Sequence, residues 1–272
     1  MNHRLRAATT FGVALLFAFP IFAFTSISSA QDAGCGHLKG KFVLKGDAPE
    51  APAKVVDKDK AACLIDGKAP KDDNLVIGEN GEIRDVFVMM YFKKGDDTRP
   101  AIHPDYEAAK NKVVEIDNQK CMFVPHALFL QTGQTFKLKN SDDVGHNCHI
   151  ICFNNEENIN LPPKGSVDIT LKNAEKTPGN VVCDVHKWMD AVLLVRDEPY
   201  AAISKADGTF QIENIPAGTW KFQFWHKKTG YMRKLDVPGQ KVGRRGEIEI
   251  TIKKGETLDL GQMTLPVTAI KK

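Results

Sequence analysis

Cys183-Asp184-Val185-His186-Lys187-Trp188-Met189 is the stretch on which the fold of this 272-residue chain turns. It places a thiol, an imidazole and a thioether between two β-prone runs, Asn180 to Cys183 and Ala191 to Arg196. A Cys and a His at this spacing face one point only if the chain leaves its strand directly after Cys183. The apolar run Ala191 to Val195 supplies the return strand, with Met189 just before it. Two imidazoles, a thiolate and a weak axial thioether make the donor set that suits a redox-active copper ion. The loop carries three of the four, so a second His must come from elsewhere. The candidate is His146, in Leu138-Lys139-Asn140-Ser141-Asp142-Asp143-Val144-Gly145-His146-Asn147, where a strand ends, a polar turn follows and His-Asn opens the next segment. Zinc fits less well, because Met is a poor zinc ligand and no third His or carboxylate is obvious. A disulfide from Cys183 to Cys148 or Cys152 is the plain alternative, and it leaves the accompanying His, Met and upstream His unexplained.

Outward from this loop the chain reads as short β-prone runs punctuated by Gly, Pro, Asn and Asp, which predicts an all-β sandwich. Val113 to Asp117, Ala127 to Gln131, Thr135 to Asn140 and Ser166 to Leu171 are expected strands, and Asp105 to Lys112 a short helix. Upstream, His37 to Leu44 is an expected strand, followed by an irregular Pro-, Ala- and Lys-rich stretch through Asp73. Asn74 to Phe92 reads as two strands around the Asn80-Gly81 turn. The composition changes at Asp197-Glu198-Pro199. Beyond it Tyr200 to Ser204, Gly208 to Ile215, Thr219 to Lys227 and two strands within Glu247 to Thr264 predict a second, smaller β-sandwich. The expected organisation is a leader over 1–30, an N-terminal β extension over 31–112 packed on the metal-binding sandwich, that sandwich over 113–196, and the small sandwich over 197–272.

The leader is read from Arg4 and Arg6, the apolar run Phe11 to Phe24 broken by Pro20, and the small residues Ser28-Ser29-Ala30. Its removal predicts a periplasmic or otherwise exported protein with no membrane attachment after cleavage. The formal charge of +3 falls to about +1 without the two arginines, which argues against a nucleic-acid partner. All six cysteines lie beyond the leader, where an oxidising compartment favours pairing. Cys63 and Cys121 are disulfide candidates, tying the irregular stretch to the sandwich. Cys148 and Cys152 are expected to be structural, with Cys35 as a possible partner for one of them; sequence alone does not fix the connectivity. His126 is expected to be a satisfied structural residue, and His37 and His103 surface residues.

The Asn140-Ser141-Asp142 to His146-Asn147 segment and the Cys-x2-His-x2-Met loop resemble the two ligand segments of the cupredoxins, within which the loop spacing is most similar to amicyanin and the pair of segments to the plastocyanin and amicyanin group. Cys121 to His126 and the Gly-turned hairpin after it look like the strand preceding the first ligand. The resemblance covers roughly residues 113–196 and implies a Greek-key sandwich holding one mononuclear type 1, or blue, copper on His146, Cys183, His186 and Met189. It also implies that Asn147 ties the two ligand loops together and that Asn140 plays a similar supporting part. Trp188, between two ligands, is expected to shield the metal or shape a docking surface. Residues 200–230, with Asp207-Gly208-Thr209 and Pro216-Ala217-Gly218, resemble carboxypeptidase-regulatory-like and rhamnogalacturonan-lyase accessory sandwiches, which are largely non-catalytic.

The function these expectations favour is a one-electron carrier between redox proteins, not an enzyme, with the exposed edge of His186 as the electron path. An oxidase or reductase would need a second copper and more histidines than the chain offers. A structural or carbohydrate-associated sandwich with a vestigial or storage copper site is the alternative, and it accounts for the C-terminal block but not for the four-ligand pattern.

Overall fold

A computed structural model describes residues 34–93, 95 and 98–270, so the expected leader lies outside the described residues. The chain is almost wholly β. Its strands are β1 (Cys35–Lys45), β2 (Phe87–Met90), β3 (Val114–Gln119), β4 (Met122–Val124), β5 (Ala127–Gln131), β6 (Thr135–Asn140), β7 (His146–Ile151), β8 (Glu156–Leu161), β9 (Ser166–Thr170), β10 (Gly179–Val182), β11 (Asp190–Arg196), β12 (Ala201–Ile203), β13 (Thr209–Pro216), β14 (Gly218–His226), β15 (Gly230–Tyr231), β16 (Glu247–Ile252) and β17 (Thr257–Pro266). Two short helices accompany them, α1 (Lys60–Cys63) and α2 (Pro104–Lys110). No helix among the described residues is long and apolar enough to cross a membrane.

Strands β3 to β11 build the sandwich that carries the metal-loop residues. One sheet has the order β5-β11-β10-β7-β8 and the other β4-β3-β6-β9. The hairpins β3–β4, β7–β8 and β10–β11 each stay within one sheet, the other connections cross between the sheets, and β3 runs parallel to β6 and β5 parallel to β11. The core between them includes Ile116, Phe123, Leu128, Phe136, Leu138, Ile150 and Leu193. β11 explains why its sequence is apolar at every position from Ala191 to Val195. Ala191, Leu193 and Val195 face this core, while Val192 and Leu194 join Phe87, Met89 and Ala127 in a second cluster behind it. A strand covered on both faces loses the usual polar alternation.

The second sandwich differs from the expected division of the chain. Its sheets are β13-β1-β17 and β12-β2-β14-β15, with β16 also paired to β14. The expectation of an extension over 31–112 packed on the metal-binding sandwich therefore does not describe β1 and β2, which sit inside the C-terminal block's own sheets. The physical reason is core size. Leu38, Phe42 and Leu44 of β1 and Val88 and Met90 of β2 share one buried core with Phe210, Phe222 and Phe224 of the C-terminal strands. The sandwich over β3–β11 is in effect inserted into the other. Two further differences are local. Ile77 and Ile83 form an isolated bridge around the Asn80-Gly81 turn, so Asn74 to Phe92 yields one strand, not two. β8, unpredicted from its polar sequence Glu-Glu-Asn-Ile-Asn-Leu, pairs with β7 at the sheet edge, with Asn147 opposite Asn160 and His149 opposite Asn158.

Candidate metal centre

The loop Cys183 to Met189 closes the β10–β11 hairpin on itself. The Cys183 N–H donates to the Met189 carbonyl at 3.2 Å, and the Met189 N–H donates to the His186 carbonyl at 2.8 Å. This tight closure turns the His186 ring back toward Cys183. His146 begins β7, whose neighbour β10 leads into the loop, so both ligand segments meet at one end of the sandwich.

Three donor atoms converge there. Nδ1 of His146 lies 2.9 Å from Nδ1 of His186, and these atoms lie 3.9 and 3.8 Å from the Cys183 sulfur. All three residues are buried. Met189 is fully buried and belongs to the core cluster that contains Cys183. Two imidazole lone pairs facing each other at this distance repel unless a cation or a proton lies between them. The outward nitrogens are already committed: Nε2 of His146 is 2.9 Å from Asp142 Oδ2, and Nε2 of His186 is 2.8 Å from Asp59 Oδ2. A carboxylate on Nε2 holds the proton there and leaves Nδ1 as the free ligand, the arrangement that orients metal-binding histidines. The donor set fits a copper ion.

The electrostatics follow from these contacts. Burial alone would depress the His146 pKa, but hydrogen bonding to Asp142 and Cys183 raises it to about 9. Burial alone would raise the Cys183 thiol, yet hydrogen bonds from His146 and from main-chain N–H groups, including that of His186 at 3.4 Å, bring it below its ordinary value. A thiol biased toward thiolate is the form that binds metal. Asp142 earns its place by accepting from the Lys120 and Cys121 N–H groups at 2.6 and 2.8 Å, in a left-handed turn.

Asn147 bridges the two ligand segments. Its Oδ1 accepts from the Asp184 N–H at 2.7 Å and lies 3.3 Å from the Cys183 sulfur, while its Nδ2 donates to Asp184 and Asn158. Asn140 donates to the carbonyls of Val144, Leu161 and Pro162 and so shapes the turn before His146. Trp188 is buried, its Nε1–H donating to the Cys121 carbonyl at 3.1 Å and its ring 5.0 Å from that of His186. Its burial leaves little of the ring at the surface. Cys63 and Cys121 are joined in a disulfide. Cys35, Cys148, Cys152 and Cys183 are free, which corrects the suggested bond from Cys35 to Cys148 or Cys152. Cys35 lies in β1, in a sheet of the other sandwich.

One expectation is overturned outright. The His186 side chain is 0% exposed, so it offers no open edge for an electron. Asp59, Asp142 and Lys54 are the site residues that sequence did not single out. Lys54 Nζ donates to the Trp188 carbonyl at 2.8 Å and to Asp190 at 3.0 Å, bracing the loop from outside. Asp142, four residues before His146 in a polar turn, carried a weak signal; Asp59 and Lys54, in the irregular stretch, carried none.

No family's sequence pattern matches the chain. No curated protein matches it either. Among solved structures, the chain is similar to a copper-containing nitrite reductase from Thermus scotoductus SA-01, at TM-score 0.28 and 19% identity over 31% of this chain and only 22% of that one. It is also similar to an amicyanin variant in its reduced Cu(I) form, at 0.28 and 19% over 36% of this chain and 92% of that one. A purple cupredoxin from Nitrosopumilus maritimus aligns at 0.26 and 18% over 30% of this chain and 98% of that one. At these TM-scores the likeness adds nothing to what the donor atoms themselves say.

Proposed function

We propose that the protein is an exported, non-enzymatic copper protein that passes single electrons between protein partners. One observation carries this: a thiol sulfur and two imidazole Nδ1 atoms lie within 3.9 Å of one another, with each Nε2 held by a carboxylate. A type 1 copper ion bound there would supply a one-electron couple. The chain's own residues supply rigidity. Both ligand segments leave strand ends, and Asn147 fastens one to the other. Asp142 and Asp59 keep each ring in one tautomer, and buried Trp188 excludes water. The side chains of His146 and His186 are both 0% exposed, which suits electron transfer more than entry of a substrate.

Loading the purified protein with Cu(II) is expected to give intense visible thiolate-to-copper charge transfer. Cys183→Ser abolishes the band while far-ultraviolet circular dichroism stays unchanged. A colourless wild-type protein that binds no copper overturns the proposal.

A further inference from the structure

The segment from Lys54 to Cys63 belongs to no sheet of the metal-binding sandwich, yet it is fastened to that sandwich at three points. Lys54 donates to the Trp188 carbonyl and to Asp190. Asp59 meets His186 Nε2. Cys63 is bonded to Cys121, and both sulfurs lie within 4.8 Å of a His186 ring nitrogen. Every fastening falls on the 183–189 loop, beside it, or against His186.

Asp59 itself is unusual. It precedes α1 as the N-cap residue in the left-handed region, φ 46°, which costs a non-glycine residue on the order of 1 kcal/mol. An Asp at this position ordinarily turns its carboxylate onto the first helical N–H groups. Here it makes no such bond, and its carboxylate reaches His186 instead. A strained backbone and a forgone cap are explained together if the carboxylate's task is to hold the ring.

We propose that Lys54 to Cys63 is a lid built into the chain, with Asp59 as a positioning residue that fixes His186 by Nε2 and closes the ring's outward edge to solvent and to redox partners. The closure is a property of the protein alone. Only its effect on the copper couple rests on the functional reading above. Loss of the carboxylate frees Nε2, so the ring can exchange tautomers or swing outward. It also withdraws negative charge from a ligand, which disfavours the oxidised ion.

The test labels histidines of the metal-free whole chain with diethyl pyrocarbonate and reads each site by mass spectrometry. His149, 23% exposed, is the internal positive control and His146 the enclosed negative one. In wild type His149 is modified and His186 is not. In Asp59→Ala, His186 is modified faster by about tenfold or more, the loss of one charge-assisted hydrogen bond. Asp59→Asn tolerates the left-handed backbone and keeps a neutral acceptor, so it gives an intermediate rate and guards against local misfolding. In copper-loaded protein both variants keep the charge-transfer band and shift the reduction potential upward. Equal labelling of His186 and His149 in wild type overturns the lid, as does an Asp59→Ala protein unchanged in both labelling and potential. A colourless wild type with His186 protected defeats the copper reading and leaves the lid standing.

Discussion

The molecule buries two pairs of histidines among carboxylates, and only one pair turns its ring nitrogens toward a thiol. At the end of the inserted sandwich, His146 and His186 turn their Nδ1 atoms toward a thiol while Asp142 and Asp59 occupy their backs. At the junction between the sandwiches, His126 and His226 are equally buried, and His126 lies within 4.8 Å of Asp73 and Asp190. Neither nitrogen of His126 makes a well-formed hydrogen bond among the described residues, against the expectation of a satisfied residue, although its Nδ1 lies 3.4 Å from Asp85 Oδ2. The difference lies in the cations. Lys54 Nζ sits 2.9 Å from Asp73 and 3.0 Å from Asp190, Lys227 also pairs with Asp190, and Arg84 is 3.0 Å from Asp85. Lysine and arginine cations already neutralise the junction carboxylates, whereas nothing but a proton or a metal can satisfy the two facing imidazoles. A residue list would rank the two clusters alike; the direction of the lone pairs separates them.

The contrast can be broken from either side. The largest effect is expected from the disulfide that pins the lid. In the chain-entropy account a bridge closing 58 residues contributes about 4 kcal/mol, so Cys63→Ala with Cys121→Ala should lower the urea unfolding free energy by about that much. The same variant should expose His186 to diethyl pyrocarbonate and leave His226 protected. Labelling at both would mean that the lid and junction are one cooperative unit.

Lys54→Met comes next. Burial pulls this ammonium's pKa down, but Asp190 and Asp73 outweigh it and raise the value above its ordinary range. Removing the charge leaves Asp73 without its cation and Asp190 with Lys227 alone, a loss of about 3 kcal/mol in denaturant unfolding. A neutral outcome would show that the ammonium is not what distinguishes the junction.

The junction also predicts an acid limb. Burial depresses the His226 pKa to about 4, so the native ring is neutral where the unfolded one protonates near its ordinary 6.5. Its folded pKa is lowered, so the contribution is complete above about pH 6.5. It is lost as pH falls toward 4, for a total of about 3 kcal/mol. Stability followed across that range by chemical unfolding should fall in wild type and flatten in His226→Gln.

Much of this was legible in the chain itself. Ala127 to Gln131 and Thr135 to Asn140 are strands at the expected limits because alternation and turn residues are local signals. Cys183, His186 and His146 meet because their segments carry their own turn chemistry. What stayed hidden is non-local. Nothing in Asp59, one acid within a Lys-rich stretch, marks it as the partner of a residue 127 positions away. The membership of β1 in the distant sandwich depends on a parallel pairing with β17 that no short window contains. β8 escaped because an edge strand exposed to solvent need not be apolar.

The smallest effect tests how rigidly the ligand segments are held together. Asn147 is 2% exposed, and its Oδ1 accepts from the Asp184 N–H while Nδ2 holds the Asp184 carboxylate. Asn147→Ala leaves that N–H without its acceptor, which costs about 1–2 kcal/mol in unfolding free energy. The loop then loses its amide bridge to the segment that carries His146, while its internal closures at Met189 and His186 remain. The charge-transfer band should persist but broaden, since the sulfur remains a ligand while its orientation relative to His146 is less fixed. No comparable broadening is expected from Lys54→Met, whose Nζ reaches the loop only through the Trp188 carbonyl and Asp190. If Lys54→Met broadens the band as much as Asn147→Ala does, the metal end is not locked by its own sandwich. It then depends on the lid for its geometry as well as its closure.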